Sequence, residues 1–327
     1  MTEPVLSVRD LRVEFATRRG VLKAIDGVSF DVAKGEILGV VGESGAGKSV
    51  TGAAVIGLID PPGRIAGGEI RLAGQRIDNL APEAMRRVRG KRIGMIFQDP
   101  LTSLNPLYRV GHQLVETIRT HTDLSPRAAR TRAVDLLAEV GISAPERRID
   151  GYPHEFSGGM RQRAVIALAL AAEPELIIAD EPTTALDVSV QAGIIALLKR
   201  LGREHGTAVM LITHDMGVIA EAADRVAVMY SGRIAEIGPV HGLVQAPLHP
   251  YAVGLMGAIP TLVQETDRLT QIPGAMPRLT AIPKGCAFHP RCPRAFARCH
   301  VERPEQIPVN GHRVACHLYD AQGSVAA

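Results

Sequence analysis

The chain has 327 residues, 46% of them hydrophobic, enough for the core of one medium domain with an appendage. A net charge of +3 without a long run of one sign, and an aromatic content of 3% with no tryptophan, argue against a nucleic-acid surface built on cations or stacked rings. No apolar run, Ala164–Ala172 and Ala252–Val263 included, reaches the roughly 18 to 20 residues of a membrane span, and Met1–Phe15 lacks the pattern of a signal peptide.

In chain order, Leu6–Phe15 and Gly27–Val32 alternate in polarity and predict strands, and Ile37–Val41 predicts a short, wholly apolar one. A glycine-rich loop, Gly42–Ser49, separates that strand from a helical run over Val50–Leu58. Glu69–Leu72 and Arg92–Phe97 predict further strands. The character changes between Pro106 and about Glu155, where strand signals are few and Ser125, followed by Pro126, predicts the capped start of a helix to Val140. This reads as a helical subdomain inserted over roughly residues 100–156. Met160–Ala171 predicts a helix, and Leu176–Ala179 a buried strand ending in Asp180. Asp187 can cap a helix over Val188–Glu204, Ala208–Thr213 predicts a strand, and Arg225–Tyr230 with Arg233–Ile237 predicts a hairpin around Ser231–Gly232. Beyond Gly238, residues 239–327 hold many prolines, six of the eleven histidines and all four cysteines. The expected division is a nucleotide-binding domain over 1–240 and a separate, irregular extension over 241–327.

The strand, glycine loop and helix make chemical sense together. Gly42-Glu43-Ser44-Gly45-Ala46-Gly47-Lys48-Ser49 has the spacing of a phosphate loop, with Val50 following. Its glycines allow successive N–H groups to face phosphate oxygens, and the helix start adds its positive dipole end. Lys48 supplies a point charge for the outer phosphates, and Ser49 a hydroxyl for Mg2+. Asp180, at the end of its apolar strand, is the expected second magnesium ligand. Glu181 is expected to accept the proton of the attacking water or to orient it.

Further motifs carry a resemblance. Phe156-Ser157-Gly158-Gly159-Met160-Arg161-Gln162-Arg163 resembles the signature sequence of ABC ATPases. Gln98 resembles the Q-loop, Ala185-Leu186-Asp187 the D-loop, and Thr213-His214-Asp215 the switch-histidine motif, all in the family's order over about residues 5–240. The resemblance implies an α/β phosphate-loop fold with an antiparallel β subdomain and an inserted helical subdomain. It implies two cassettes that sandwich two ATP molecules. Ser157, Gly158 and Gly159 would then contact the γ-phosphate in a partner's site, while His214 contacts it in its own. Gln98 would lie at the magnesium ion and couple to membrane subunits, and Phe15 is the candidate adenine-stacking ring. The sequence departs from the pattern at Phe156, Met160 and Val50 without loss of a catalytic group.

The cysteines, Cys286, Cys292, Cys299 and Cys316, lack the short spacing of zinc ribbons, and a cytosolic setting disfavours disulfides. Four thiolates suit an iron–sulfur cluster or an atypical zinc site. Gly285–Cys299, together with Pro247–Ala252 and Ile272–Gly274, resembles the tail of di- and oligopeptide transporter ATPases. That resemblance implies a [4Fe–4S] cluster on the four cysteines. It also implies a second homologous ATPase subunit, two integral-membrane permeases and a substrate-binding protein as partners, no nucleic acid, and a peripheral place at the cytoplasmic face of the inner membrane. Uptake of nickel or a metal chelate, a soluble ATPase acting on nucleic acid or ribosomes, and an ATPase of iron–sulfur assembly are the rival readings.

Overall fold

A computed structural model describes residues 3–18, 20–183, 187–258 and 271–320. Its elements in chain order are β1 (Leu6–Thr17), β2 (Gly20–Val32), β3 (Ile37–Val41), α1 (Lys48–Val55), β4 (Gly63–Leu72), β5 (Gln75–Arg76), α2 (Pro82–Val88), β6 (Ile93–Ile96), α3 (Pro100–Ser103), α4 (Val110–His121), α5 (Pro126–Glu139) and α6 (Pro145–Arg148). There follow α7 (Gly158–Leu170), β7 (Leu176–Asp180), α8 (Val188–His205), β8 (Ala208–Ile212), α9 (Met216–Ala222), β9 (Arg225–Tyr230), β10 (Arg233–Pro239), α10 (Val240–Gln245), α11 (Pro250–Gly257), α12 (Ala297–Val301), β11 (Ile307–Val309) and β12 (His312–Val314). No helix among the described residues is long and apolar enough to cross a membrane. The chain forms two compact units, one from residues 1–6, 32–37 and 72–212, the other from 7–31, 38–71 and 213–327.

In the first unit, β6, β7 and β8 run parallel, with Ile93 opposite Leu176 and Ile178 opposite Met210. All of β8 and all of β7 except Asp180 are buried, so these strands read as continuous apolar runs, as strands covered on both faces do. Helix α7 lies against β6 at Gly94, where a Cβ would come within 2.4 Å of the Ala169 carbonyl oxygen. Helices α4 and α5 pack against each other, and Leu114 and Ile118 of the first and Ala133 and Leu136 of the second are fully buried. Ser125 caps α5 by accepting the Ala128 N–H at 3.3 Å, with Pro126 in the first turn. Helix α4 was not anticipated: Gly111, His112, Gln113 and Glu116 dilute its apolar stripe, and no side chain caps it at Arg109.

In the second unit, β3 runs parallel to β9, with Val40 opposite Ala227. Gly39 lets α9 approach β3, since a Cβ there would meet Ile219 Cδ1 at 2.6 Å. Strands β9 and β10 form the expected hairpin, with Ser231 and Gly232 at φ 48° and 77° supplying the turn. Strands β2, β1 and β4 lie in that order in the antiparallel β subdomain of the fold.

The extension differs from the sequence expectation of a separate, irregular segment. Strand β12 pairs antiparallel with β10, placing Val314 opposite Glu236, and β11 pairs with β12. Three-residue strands carry too little alternation to be read in advance. A buried acid secures the join. Glu236, fully buried, accepts the Leu248 N–H at 3.0 Å, the His249 N–H at 2.8 Å, and pairs with His312 Nδ1 at 2.6 Å. An isolated carboxylate there would be very costly; three hydrogen-bond partners offset its desolvation.

Candidate nucleotide site

The phosphate loop belongs to the second unit, between β3 and α1. Gly42, Gly45 and Gly47 take φ of 151°, 82° and 101°, the region that favours glycine. Two of them also lack room for a side chain. A Cβ at Gly42 would lie 2.2 Å from the Met229 carbonyl oxygen, and one at Gly47 2.6 Å from Ile25 Cδ1 and 3.1 Å from the Ala24 carbonyl. Inside the loop the Ala46 N–H donates to the Glu43 carbonyl at 3.1 Å, while the Ala46 carbonyl accepts the Gly232 N–H at 2.9 Å. Lys48, only 6% exposed, folds its ammonium onto the carbonyls of Gly42 (2.8 Å) and Glu43 (3.1 Å). That geometry keeps the charge at the loop's mouth. No side chain caps α1 at Gly47, and Ser49 sits in its first turn. Val50 follows in the same helix, half-buried, and Ser44 is exposed on the loop.

His214 stands exposed in the turn after β8. The turn is fixed around it: the Thr213 hydroxyl accepts the Asp215 N–H at 3.0 Å, and Asp215 caps α9 through the N–H groups of Gly217 and Val218. Phe15 lies in β1, its Cε1 2.6 Å from where a Gly63 Cβ would stand.

The acids belong to the first unit. Asp180 closes β7, and Glu181 follows at φ 48°, a rare backbone for a non-glycine residue. The Glu181 N–H donates to the Ile212 carbonyl at 2.8 Å, which ties it to the end of β8. Gln98, two residues beyond β6, donates from Nε2 to Glu181 Oε2 at 3.0 Å. The structure thus brings together Gln98 and Glu181, which are 83 residues apart in sequence. In the same unit, the Ser157 hydroxyl caps α7, accepting the Met160 N–H at 3.3 Å, and Gly158 and Gly159 form its exposed to half-buried first turn. A Cβ at Gly159 would meet Val190 Cγ1 at 2.9 Å. Phe156, which precedes this turn, is buried, and Arg161 Nε donates to the Pro153 carbonyl at 2.8 Å. Asp187 caps α8, and hydrogen bonds from Ser189 and the Val190 N–H hold its carboxyl below the usual range. Ala185 and Leu186 of the expected D-loop lie outside the described residues.

The cysteines converge in the extension, where the Cys286 N–H donates to the Cys299 carbonyl at 2.9 Å. Burial pushes the thiols of Cys286 and Cys292 up, and that of Cys316 up to about 12, with neighbouring thiols adding to each shift. The geometry does not support the expected cluster or zinc site: among the described residues no group of three or more His, Cys, Asp or Glu side chains forms a metal-holding set.

Sequence reading missed two residues that touch the loop. The Glu43 N–H donates to the Tyr251 hydroxyl at 2.9 Å, and Arg291 pairs with the Glu43 carboxylate at 2.9 Å. Partners 208 and 248 residues away leave no local signal.

A glycine-built loop before a helix, a buried lysine at its mouth, and a strand-end acid pair with a glutamine on the second acid define an ATP-binding cassette of the ABC class. A model described as ABC transporter matches residues 25–184, and one described as oligopeptide/dipeptide transporter, C-terminal region, matches 235–299. The chain is 45% identical to the dipeptide transport ATP-binding protein DppD of Escherichia coli (strain K12), over 96% of each chain. It is 51% identical to the oligopeptide transport ATP-binding protein OppD of Bacillus subtilis (strain 168), over 94% of this chain and 86% of the relative. Among solved structures, the dimeric bacterial ABC transporter cassette MJ0796 superposes with a TM-score of 0.64 at 27% identity, covering 72% of this chain and 98% of that one. CbiO1 of Clostridium perfringens, part of the ABC transporter complex CbiONQ, gives 0.65 at 26% identity, covering 75% and 92%. The chain belongs to the family of dipeptide and oligopeptide transport ATP-binding proteins, and it is an ATPase of the ABC class.

Proposed function

We propose that this chain binds Mg-ATP on residues 42–50 and hydrolyses it to drive uptake of dipeptides or oligopeptides through membrane permeases. The observation that carries the reading is the loop itself: Gly42 and Gly47, where a side chain would strike backbone or core, and a buried lysine with its ammonium resting on loop carbonyls. Incoming phosphate oxygens replace those carbonyls as the ammonium's partners, and loop N–H groups complete the grip. Ser49 and Asp180 offer hard oxygen donors of the kind Mg2+ takes, with Gln98 beside them in role. The ion's contribution is to neutralise phosphate charge as the bond to the leaving group breaks. Glu181 orients the attacking water and takes its proton, held in place by Gln98. His214 contacts the γ-phosphate, and Ser157, Gly158 and Gly159 present a helix start to the nucleotide of a second cassette. A relative of known structure is described as a dimeric post-hydrolysis state bound to ADP and Pi, which supports this pairing.

The peptide cargo is supported by full-length similarity to dipeptide and oligopeptide transport proteins. The partners are then a second ATPase subunit, two permeases and a substrate-binding protein, with this chain at the cytoplasmic face of the membrane. Proteoliposomes holding the assembled system test this: ATP-dependent uptake of labelled peptide is expected, and Lys48→Ala is expected to abolish it. Uptake of Ni2+ without peptide would favour the metal-importer reading. The expected iron–sulfur cluster would rest on the grouping of Cys286, Cys292, Cys299 and Cys316 in the sequence alone, since among the described residues the side chains form no metal-holding set. About four iron and four sulfide per chain after anaerobic purification is the expected result; zinc, or no metal, would remove it.

A further inference from the structure

Glu43, the second residue of the phosphate loop, is tied down through each of its polar groups. Its N–H donates to the Tyr251 hydroxyl at 2.9 Å. Its carbonyl accepts from the Lys48 ammonium and from the Ala46 N–H, both at 3.1 Å. Its carboxylate receives Arg291 Nη1 at 2.9 and 3.1 Å. The two outer ties come from the extension: Tyr251 from α11, and Arg291 from the helical turn His289–Arg291 between Cys286 and Cys292.

Arg291 is built in rather than draped over the surface. Its side chain is 6% exposed, and Nε and Nη2 donate to the carbonyls of Pro273 (2.8 Å) and Ile272 (3.4 Å). Its guanidinium lies 5.8 and 6.0 Å from the ring centres of Tyr230 and Phe288. Tyr251, fully buried, meets Tyr230 edge-on at 4.6 Å and Phe288 at 5.4 Å. Met276 closes the approach to Gly45, with Cε 3.7 Å from where a Cβ would stand. A catalytic loop that must hold several N–H groups aimed at one ligand gains affinity when its unbound shape is already the bound one. The hydrogen bond and the ion pair that reach Glu43 from outside the loop come from the extension, not from the strands that flank the loop.

We propose that the C-terminal extension braces the phosphate loop, with Arg291 and Tyr251 as positioning residues that act on nucleotide binding through Glu43. The proposal rests on the nucleotide site being residues 42–50. The link makes the fold of the cysteine-bearing segment a determinant of ATP affinity, because Arg291 is carried on a turn adjoining Cys292.

A double-mutant cycle in the full-length chain tests it, reading Mg-ATP dissociation constants by calorimetry and melting temperature without nucleotide. Arg291→Ala is expected to weaken Mg-ATP about tenfold, equivalent to about 1.4 kcal/mol. Glu43→Gln is expected to weaken it similarly, and the double variant no further than either alone. Arg291→Lys should recover part of the loss, since the charge remains while the fork geometry does not. Tyr251→Phe, which leaves the Glu43 N–H without that acceptor, should also weaken binding. If Arg291→Ala lowers the melting temperature too far to titrate, Glu43→Gln decides, because its half-buried side chain can lose charge without emptying a core. Wild-type binding with Arg291→Ala and Glu43→Gln both within twofold of it, or losses that add fully, would overturn the brace. No saturable Mg-ATP binding by the wild type would instead overturn the nucleotide-site reading, and the brace with it.

Discussion

Replacing Gly42 by alanine separates steric fit from mere chain flexibility in the phosphate loop. The added Cβ would sit 2.2 Å from the Met229 carbonyl oxygen, while such contacts do not fall below 3.0 Å, so the loop or β9 must yield by about 0.8 Å. Neither partner is a side-chain tip that can swing away; both are backbone. The residue's φ of 151° adds strain for any L side chain. Overpacking against fixed backbone costs about 1–3 kcal/mol. Because the shift falls on the N–H groups that face phosphate, much of that is lost from nucleotide affinity, which amounts to roughly a fivefold to hundredfold rise in the dissociation constant. Gly45→Ala is the control: its nearest neighbour, Met276 Cε, stands at 3.7 Å, so only the backbone strain of φ 82° applies. Calorimetric titration with Mg-ATP, beside melting curves, should show Gly42→Ala clearly weaker than Gly45→Ala. Equal affinities for the two variants, or Gly42→Ala within twofold of wild type, would refute the steric account of the loop.

Other perturbations report on the extension. Glu236→Ala strands the N–H groups of Leu248 and His249 and the His312 ring in a buried site, and should cost about 2–4 kcal/mol in denaturant unfolding. His249 gives a pH dependence. Burial lowers its imidazole from 6.5 to about 4, and its Nδ1 accepts the Tyr251 N–H at 3.0 Å, so the folded protein holds it neutral. The unfolded chain binds the extra proton, so this contribution is complete above about pH 6.5 and lost as pH falls toward 4. Melting temperature should decline over that window, and His249→Asn, which keeps a capping acceptor and does not titrate, should flatten the decline.

Much of the fold was legible because its central strands have no polar face. Ile37–Val41 is a strand with the expected bounds, and Leu176–Asp180 and Ala208–Ile212 fall within a residue of theirs. Capping residues placed α5 and α8 through Ser125 and Asp187. The failures have local causes as well. Strand β2 begins at Gly20, seven residues before the expected start; Val21 and Lys23 are both exposed, so its outer end has no buried face to read from the sequence. Helix α2 was passed over although Pro82, Glu83 and its terminal arginines suit a helix, since seven residues carry no repeat of the apolar stripe. The phosphate loop and the strand-end acids could be read from spacing, because one loop supplies the first and one strand the second. The brace of Tyr251 and Arg291 on Glu43 could not, because tertiary folding alone brings them together.

In the proposed reaction this chain hydrolyses ATP with Glu181 acting on the water. Steady-state phosphate release by the assembled transporter, wild type against Glu181→Gln, tests it with bound nucleotide measured in parallel. Turnover reduced by about 10²–10⁴-fold, with Mg-ATP still bound, is the expected result. Undiminished phosphate release by Glu181→Gln would contradict it.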